Sequence, residues 1–192
     1  RRALGAARQG RLLAEHGAVS DAPIGELKFL RKLQRLLAEG DFVATYKFAL
    51  LNALADLSLE REPAADGSLR VPVSAIAEKF IEYYWPQARP YRPLDGTGFV
   101  LHQNTGRQAT VISAIAAVQS MHATLPAART AELRWHTLVT RVAGTIKGMP
   151  LWKLQTVASE DDEFLYREAE FADDSIRLLP GVPAAFRALY GL

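Results

Sequence analysis

Residues 44–60, ATYKFALLNALADLSLE, decide the fold of this chain. Wound as an α-helix, this stretch presents apolar side chains on most of its sides. A helix that is apolar nearly all round has to be enclosed by other elements. We therefore predict that residues 44–60 form the buried central helix, and that Pro63 and the ADG turn after it mark its end.

Amphipathic segments on both sides of this helix are predicted to enclose it. Residues 26–39 carry one apolar stripe, formed by Leu27, Leu30, Leu33, Leu36 and Leu37. Further helices are predicted at residues 1–16, from Ser74 through Trp85, at 108–122, and from a capping Thr130 to about residue 145.

Short strands complete the predicted fold. They are expected around Val71 and Val73 and at residues 99–101. The segments EFLYREAEF (163–171) and SIRLL (175–179) are predicted as the two arms of a C-terminal β-hairpin around ADD. The predicted fold class is α+β and mostly α, with about six helices around the central one.

The composition is that of a globular protein, with 49% hydrophobic and 23% charged residues in a chain of 192. No apolar run reaches the roughly 18 residues of a membrane span, so no membrane partner is expected. The absence of cysteine excludes disulfides, thiol nucleophiles and cysteine-bearing zinc sites, and it favours a cytoplasmic location. The chain starts at Arg1 and ends within an apolar, helix-like stretch, so we expect a segment of a longer polypeptide.

The net charge of +2 conceals an uneven distribution. Residues 160–174 contain eight acidic residues and one arginine, a net charge of −7, so the rest of the chain carries +9. A basic body with one acidic segment suits a polyanionic partner, although an acidic run is also a common form of solvated surface.

Polar side chains are concentrated in LHQNTGRQ, residues 101–108. Thr105 can cap the helix that follows, and Asn104 can occupy a left-handed turn. The side chains that this structural role leaves unexplained are His102, Gln103, Arg107 and Gln108. At a helix N-terminus such side chains can bind a phosphate group, and Arg and Gln can also form hydrogen bonds with base edges. The sequence therefore leaves two interpretations of residues 101–108 open, a structural turn and a contact with nucleic acid.

The preceding stretch YYWPQARPYRP, residues 83–93, combines four aromatic residues and three prolines with Arg89 and Arg92. Aromatic and arginine side chains on a proline-stiffened loop can stack on bases or hold a phosphate backbone. The alternative is a packed aromatic corner with solvated arginines.

Two further places in the chain also allow two interpretations each. Lys47 opens the central helix, where its charge opposes the helix dipole, so it is either held by a partner anion or extended towards solvent. Trp152 and Lys153 follow Pro150 and belong either to the core or to the contact surface.

Catalytic signatures are incomplete in this sequence. The histidines at positions 16, 102, 122 and 136 lack metal-ligand spacing, and neither a G-x-S-x-G motif nor a phosphate-binding P-loop occurs. The acidic residues at 160–163 suit a solvated run better than a weak cation site. We therefore expect no catalytic residue, metal or cofactor in this segment.

Several ordered segments together resemble the N-terminal region of a family of bacterial HNH endonucleases. They are FVATYKFALLNALADLSLE, FIEYYWPQARPY, VLHQNTGRQATVISAI, MPLWKLQ, and FLYREAEF followed by SIRLLPGV. The resemblance covers roughly residues 27–192. The helix YKFALLNALADL is also similar to one in sulfur-binding domains, which recognise phosphorothioate DNA in modification-dependent restriction enzymes.

The resemblance implies a single DNA-recognition domain over residues 1–192, with 1–25 as an N-terminal helical extension, in a restriction or phage-defence enzyme. A nuclease module with a divalent metal would follow residue 192. The implied partner is double-stranded DNA, with or without modification, and a homodimer is left open. The expected DNA-binding residues are Tyr46, Lys47, Arg89, Tyr91, Arg92, His102, Gln103, Asn104, Thr105, Arg107, Gln108, Trp152 and Lys153. The alternative is a helical protein-interaction or regulatory module that does not bind nucleic acid.

Overall fold

Helices make up most of the described chain, and the predicted α+β, mostly α fold class is confirmed. The computed structural model describes residues 23–39, 45–89, 110–157 and 160–190. The helices are α1 Glu26–Glu39, α2 Tyr46–Glu60, α3 Val73–Tyr84, α4 Thr110–Gln119, α5 Leu125–Thr130, α6 Glu132–Gly148, α7 Pro150–Lys153 and α8 Val182–Tyr190. The strands are β1 Leu69–Pro72, β2 Thr156–Val157, β3 Glu160–Asp161 and β4 Ser175–Leu178. The predicted helix at 1–16, the strand at 99–101 and the turn at 103–106 lie outside the described residues.

Helix α2 is the buried centre of the fold, as predicted. Leu50, Ala53 and Leu54 have no exposed surface, and apolar side chains point from the helix in several directions. Helices α3, α7 and α8 pack around it. An apolar helix with no single hydrophobic face needs such partners on more than one side.

Helix α1 has the predicted bounds but a different buried face. Phe29 and Leu36 are fully buried, whereas Leu27 is 75% exposed and Leu37 is 42% exposed. The ring of Phe29 packs edge-on against Phe164 and Phe186, with centroids 5.9 and 5.0 Å away. The prediction that the five leucines form the docking stripe is therefore wrong in part, because the aromatic ring offers more apolar surface to the core.

Contacts of Lys32 with the acidic segment also help to orient α1. The ammonium group of Lys32 lies 2.6 Å from Asp162 Oδ2 and 5.4 Å from the ring centroid of Phe164. Lys32 thus lies on the docking side of the helix, and its charge is satisfied there.

Strand β4 forms where SIRLL predicts it, but its main partner is β1. The two strands are antiparallel with Leu69 opposite Leu178 and Val71 opposite Ile176, and these four side chains are buried. The segment 163–171 meets β4 through one isolated bridge, between Tyr166 and Leu178, and it contains the 3-10 turn Glu168–Glu170.

Gln155 explains why the segment 163–171 is not a regular hairpin arm. Its buried amide accepts the N–H of Leu165 at 2.7 Å and donates to the carbonyl of Tyr166 at 2.8 Å. Backbone groups that would otherwise pair with a strand are therefore bound to a side chain. Asp173 and Asp174, with φ of 47° and 52°, form the left-handed turn that leads into β4.

The helix expected from a capping Thr130 begins at Glu132 instead, and a separate short helix, α5, precedes it. Thr130 is the last residue of α5, and its hydroxyl donates to the carbonyl of Ala127 at 2.9 Å. Thr124 caps α5 by accepting the N–H of Ala127 at 3.3 Å, and α6 then runs from Glu132 to Gly148. Among the described helices, none combines the length and the apolar character needed to cross a bilayer.

Candidate nucleic-acid interface

The fold pairs four of the eight acidic residues of the acidic run with basic residues outside it. Carboxylates between positions 162 and 174 form ion pairs with side chains of α1, α6, β1 and β4. The pairs are Lys32–Asp162, Arg70–Asp173, Lys147–Asp174 and Arg177–Glu170. The acidic segment is therefore partly the internal counter-charge of the domain. Some basic side chains outside its reach pair with other carboxylates, as Lys79 does with Glu60, and others have no carboxylate partner among the described residues.

Two such basic side chains meet where α4 ends and α6 begins. Arg89 Nη2 donates to the carbonyl oxygen of Ala123 at 2.8 Å, and Arg134 Nη1 lies 3.4 Å from Nε2 of His122. Two guanidiniums are thus held by adjacent residues of one turn. Neither has a carboxylate partner within the described residues. We call the group Arg89, His122 and Arg134 the basic corner.

The packing of α3 against α4 positions this corner. The 3-10 turn Pro86–Ala88 follows α3 directly and packs against α4. The Gln119 amide, in the last turn of α4, donates to the carbonyl oxygen of Trp85 at 2.6 Å. This bond ties the end of α3 to the end of α4 and brings Arg89 to the turn at 122–123.

Helix α6 extends the basic surface along its exposed side. Leu138, Val142 and Ile146 bury the neighbouring side of the helix, and Leu138 lies one turn from each of Arg134 and Arg141. Arg141 is exposed, unpaired in the described part of the chain, and seven residues after Arg134. Seven residues are nearly two turns, so the two arginines lie on one face about 10 Å apart.

Tyr46, expected to contact DNA, is a core residue. It is 9% exposed, and its ring packs edge-on against Tyr84 at 5.7 Å. Its hydroxyl oxygen accepts the backbone N–H of Val111 at 3.4 Å, and burial raises the pKa of this phenol. Tyr46 therefore holds the start of α4 against α2, and Lys47 beside it is half-buried.

Trp152 and Lys153 lie at the far end of α6. The indole N–H of Trp152 donates to the carbonyl oxygen of Lys147 at 2.6 Å, and its ring meets Phe171 edge-on at 5.7 Å. Trp152 therefore closes the last turn of α6, while Lys153 is exposed. Both are separated from Arg134 by most of α6, about 20 Å. The structure does not bring them together with Arg89.

The other expected contacts fall in residues 90–109, outside the described residues. They are Tyr91, Arg92, His102, Gln103, Asn104, Thr105, Arg107 and Gln108. The described residues on either side are Arg89, in the basic corner, and Thr110, the first residue of α4. The two described residues that flank this segment therefore lie near opposite ends of α4.

His122, Arg134 and Arg141 were missed as candidate residues from the sequence. The spacing of seven between Arg134 and Arg141 on a predicted helix was an available signal. His122 and Arg89 are 33 positions apart, and only the packing of α3 on α4 brings them together. Within the described ranges, no group of three or more acidic or histidine side chains is arranged to hold a metal ion.

The comparisons with known proteins return one family. No curated protein and no solved structure matches this chain. A family described as Domain of unknown function (DUF8808) matches residues 26–190, from the first residue of α1 to the last residue of α8. The match covers the whole described fold, and the chain belongs to the DUF8808 family.

Proposed function

We propose that this domain recognises double-stranded DNA through the basic corner and the adjoining face of α6. The observation that carries the proposal is that Arg89, Arg134 and Arg141 have no carboxylate partner among the described residues, in a domain whose acidic run pairs with basic residues elsewhere. Arginine binds phosphate oxygens with two parallel hydrogen bonds, and an unpaired arginine is free to do so.

The spacing of the cations suits a nucleic-acid backbone. Arg134 and Arg141 are about 10 Å apart along α6, which corresponds to about three phosphates along one DNA strand at 3.4 Å of helix axis each. Other exposed cations without an ion pair in the described parts of the chain lie on other elements, and two of them are one turn apart on α1. They are Lys28, Arg31, Arg61 and Lys153.

Sequence recognition is assigned to the segment between Arg89 and α4. Gln103 and Arg107 have the donors and acceptors that read adenine and guanine edges, and the segment starts at the basic corner. Together with the resemblance to HNH endonucleases, this supports a recognition domain of a restriction or defence enzyme, with unmodified or phosphorothioate DNA as target. Cleavage and its divalent metal would then belong to another module.

Titration of fluorescent duplexes at several salt concentrations tests the proposal. Arg134→Gln and Arg141→Gln should each weaken binding about tenfold at low salt, since a charge-assisted hydrogen bond contributes about 1.5 kcal/mol. Each should also reduce the slope of log affinity against log salt concentration by an amount equal to about one phosphate contact. Arg177→Gln is the matched control, because Arg177 is ion-paired with Asp66 on the sheet. No salt-dependent affinity in the wild type would contradict the proposal.

One observation favours the alternative, a protein-interaction module. Leu27 and Leu37 both expose apolar surface on α1, and exposed apolar surface often marks protein contacts. Sedimentation of wild type and Leu27→Glu separates the two functions. Self-association that Leu27→Glu abolishes, together with no affinity for DNA, would favour the alternative and a homodimer.

A further inference from the structure

Lys147 lies on the same helix as Arg134 and Arg141, but a carboxylate holds its charge. Its ammonium group, in the last turn of α6, donates to Asp174 Oδ1 at 2.9 Å. Both partners meet solvent, since the Lys147 side chain is 36% exposed and that of Asp174 is 73% exposed. An ion pair between exposed groups contributes little to stability. A phosphate oxygen can therefore replace the Asp174 carboxylate without cost to the fold.

Lys147 and the two arginines border opposite edges of the exposed side of α6. Lys147 follows Arg141 by six residues, which is about 9 Å along the helix axis and about 120° around it. The exposed residues between the two edges, among them Thr137 and Thr140, are uncharged. Residues 133–148 contain no acidic residue. A helix with cations on both edges suits the DNA major groove, which is about 12 Å wide and has the phosphates of one strand on each side.

The backbone holds Asp174 beside the end of α6 independently of Lys147. The Asp174 carbonyl oxygen accepts the N–H of Val73 at 2.8 Å. The neighbouring Asp173 pairs with Arg70 on the sheet at 2.8 Å. The turn is thus fixed by contacts other than the Lys147 pair, whereas Lys147 has a flexible four-carbon stem. When the lysine turns away, the carboxylate of Asp174 stays where it is.

We propose that Lys147 is a third phosphate-binding residue of α6 and that Asp174 competes with DNA for it. The inference rests on the proposed function and adds a residue to the same surface. On binding, the ammonium group leaves Asp174 Oδ1 and donates to a phosphate oxygen on the edge of α6 opposite the arginines. The released carboxylate then lies unpaired near a second negative charge, which repels it. Asp174 therefore lowers the affinity of the domain for DNA.

Asp174→Asn tests this competition in titrations of a fluorescent duplex at low salt. Asparagine tolerates the left-handed conformation of this position, where φ is 52°, so the turn is retained. We expect binding about threefold to fivefold tighter than in the wild type, which is the effect of removing one exposed ion pair. Asp173→Asn is the matched control, with the same charge change at a φ of 47°. It should leave affinity within about twofold, because Asp173 holds no cation of α6.

Lys147→Gln identifies the cation through which Asp174 acts. It should weaken binding in the wild type, and more so in the Asp174→Asn background, where binding breaks no ion pair. An equal gain from Asp174→Asn with and without Lys147, or equal affinities of Asp174→Asn and Asp173→Asn, would overturn this inference. Either result leaves the DNA proposal intact if Arg134→Gln still weakens binding. Absence of salt-dependent binding in the wild type would overturn both.

Discussion

At the residue scale, Asp66 shows how one side chain organises a turn. Its Oδ1 accepts both the backbone N–H and the hydroxyl of Ser68, at 2.9 and 2.6 Å, and Oδ2 is paired with Arg177. Gly67 between them has φ of 79°, a conformation that side chains rarely adopt. The turn thereby directs the chain from α2 into β1.

The hydrogen bonds from Ser68, the hydroxyl bond foremost, lower the pKa of Asp66 from 3.8 to about 2. Because the folded-state pKa is the lower one, the stabilisation is complete above pH 3.8 and is lost as the pH falls through about 2. Ser68→Ala should raise the pKa of Asp66 part of the way back, since the backbone bond remains. Arg177→Gln should raise it less. Carbon NMR of the Asp66 carboxyl against pH measures both, and an unchanged pKa in Ser68→Ala would contradict the assigned cause.

At the element scale, α1 shows that local sequence signals predict the length of a helix, whereas packing selects the face that is buried. Its length follows from local signals, and its bounds agree with the prediction. Its orientation about its own axis depends on which side chains find partners, and Phe29 finds two aromatic rings contributed by residues more than 130 positions later. Periodicity along one helix contains no information about those partners.

Substitutions in α1 test this orientation. Phe29→Ala should lower the free energy of unfolding by about 3–5 kcal/mol, the usual cost of removing a buried aromatic ring. Leu27→Ala should change it by less than about 0.5 kcal/mol, because Leu27 is 75% exposed. Urea unfolding measures both values. A larger loss for Leu27→Ala than for Phe29→Ala would restore the leucine stripe as the docking face.

At the scale of the whole molecule, the folded domain is held together through α2. Its neighbours α3, α7 and α8 come from three separate parts of the sequence. Leu54→Ala should therefore destabilise the domain by about 2–5 kcal/mol in one cooperative transition. Leu59→Ala is the control on the same helix, at a position that is 36% exposed, and should cost less than about 1 kcal/mol. Similar midpoints for the two variants in a thermal or urea melt would place α2 at the surface.

The sequence by itself determined the fold class, the central position of α2, the bounds of α1 and the location of β4. These features depend on local periodicity, caps and turn residues, which a single stretch of chain contains. Only the tertiary structure decided the buried face of α1, the pairing of β4 with β1 and the burial of Tyr46. It also brought Arg89, His122 and Arg134 together and matched the acidic run to its cations. Each of these results depends on contacts between residues far apart in the chain, and their energies are set by burial and charge pairing in three dimensions.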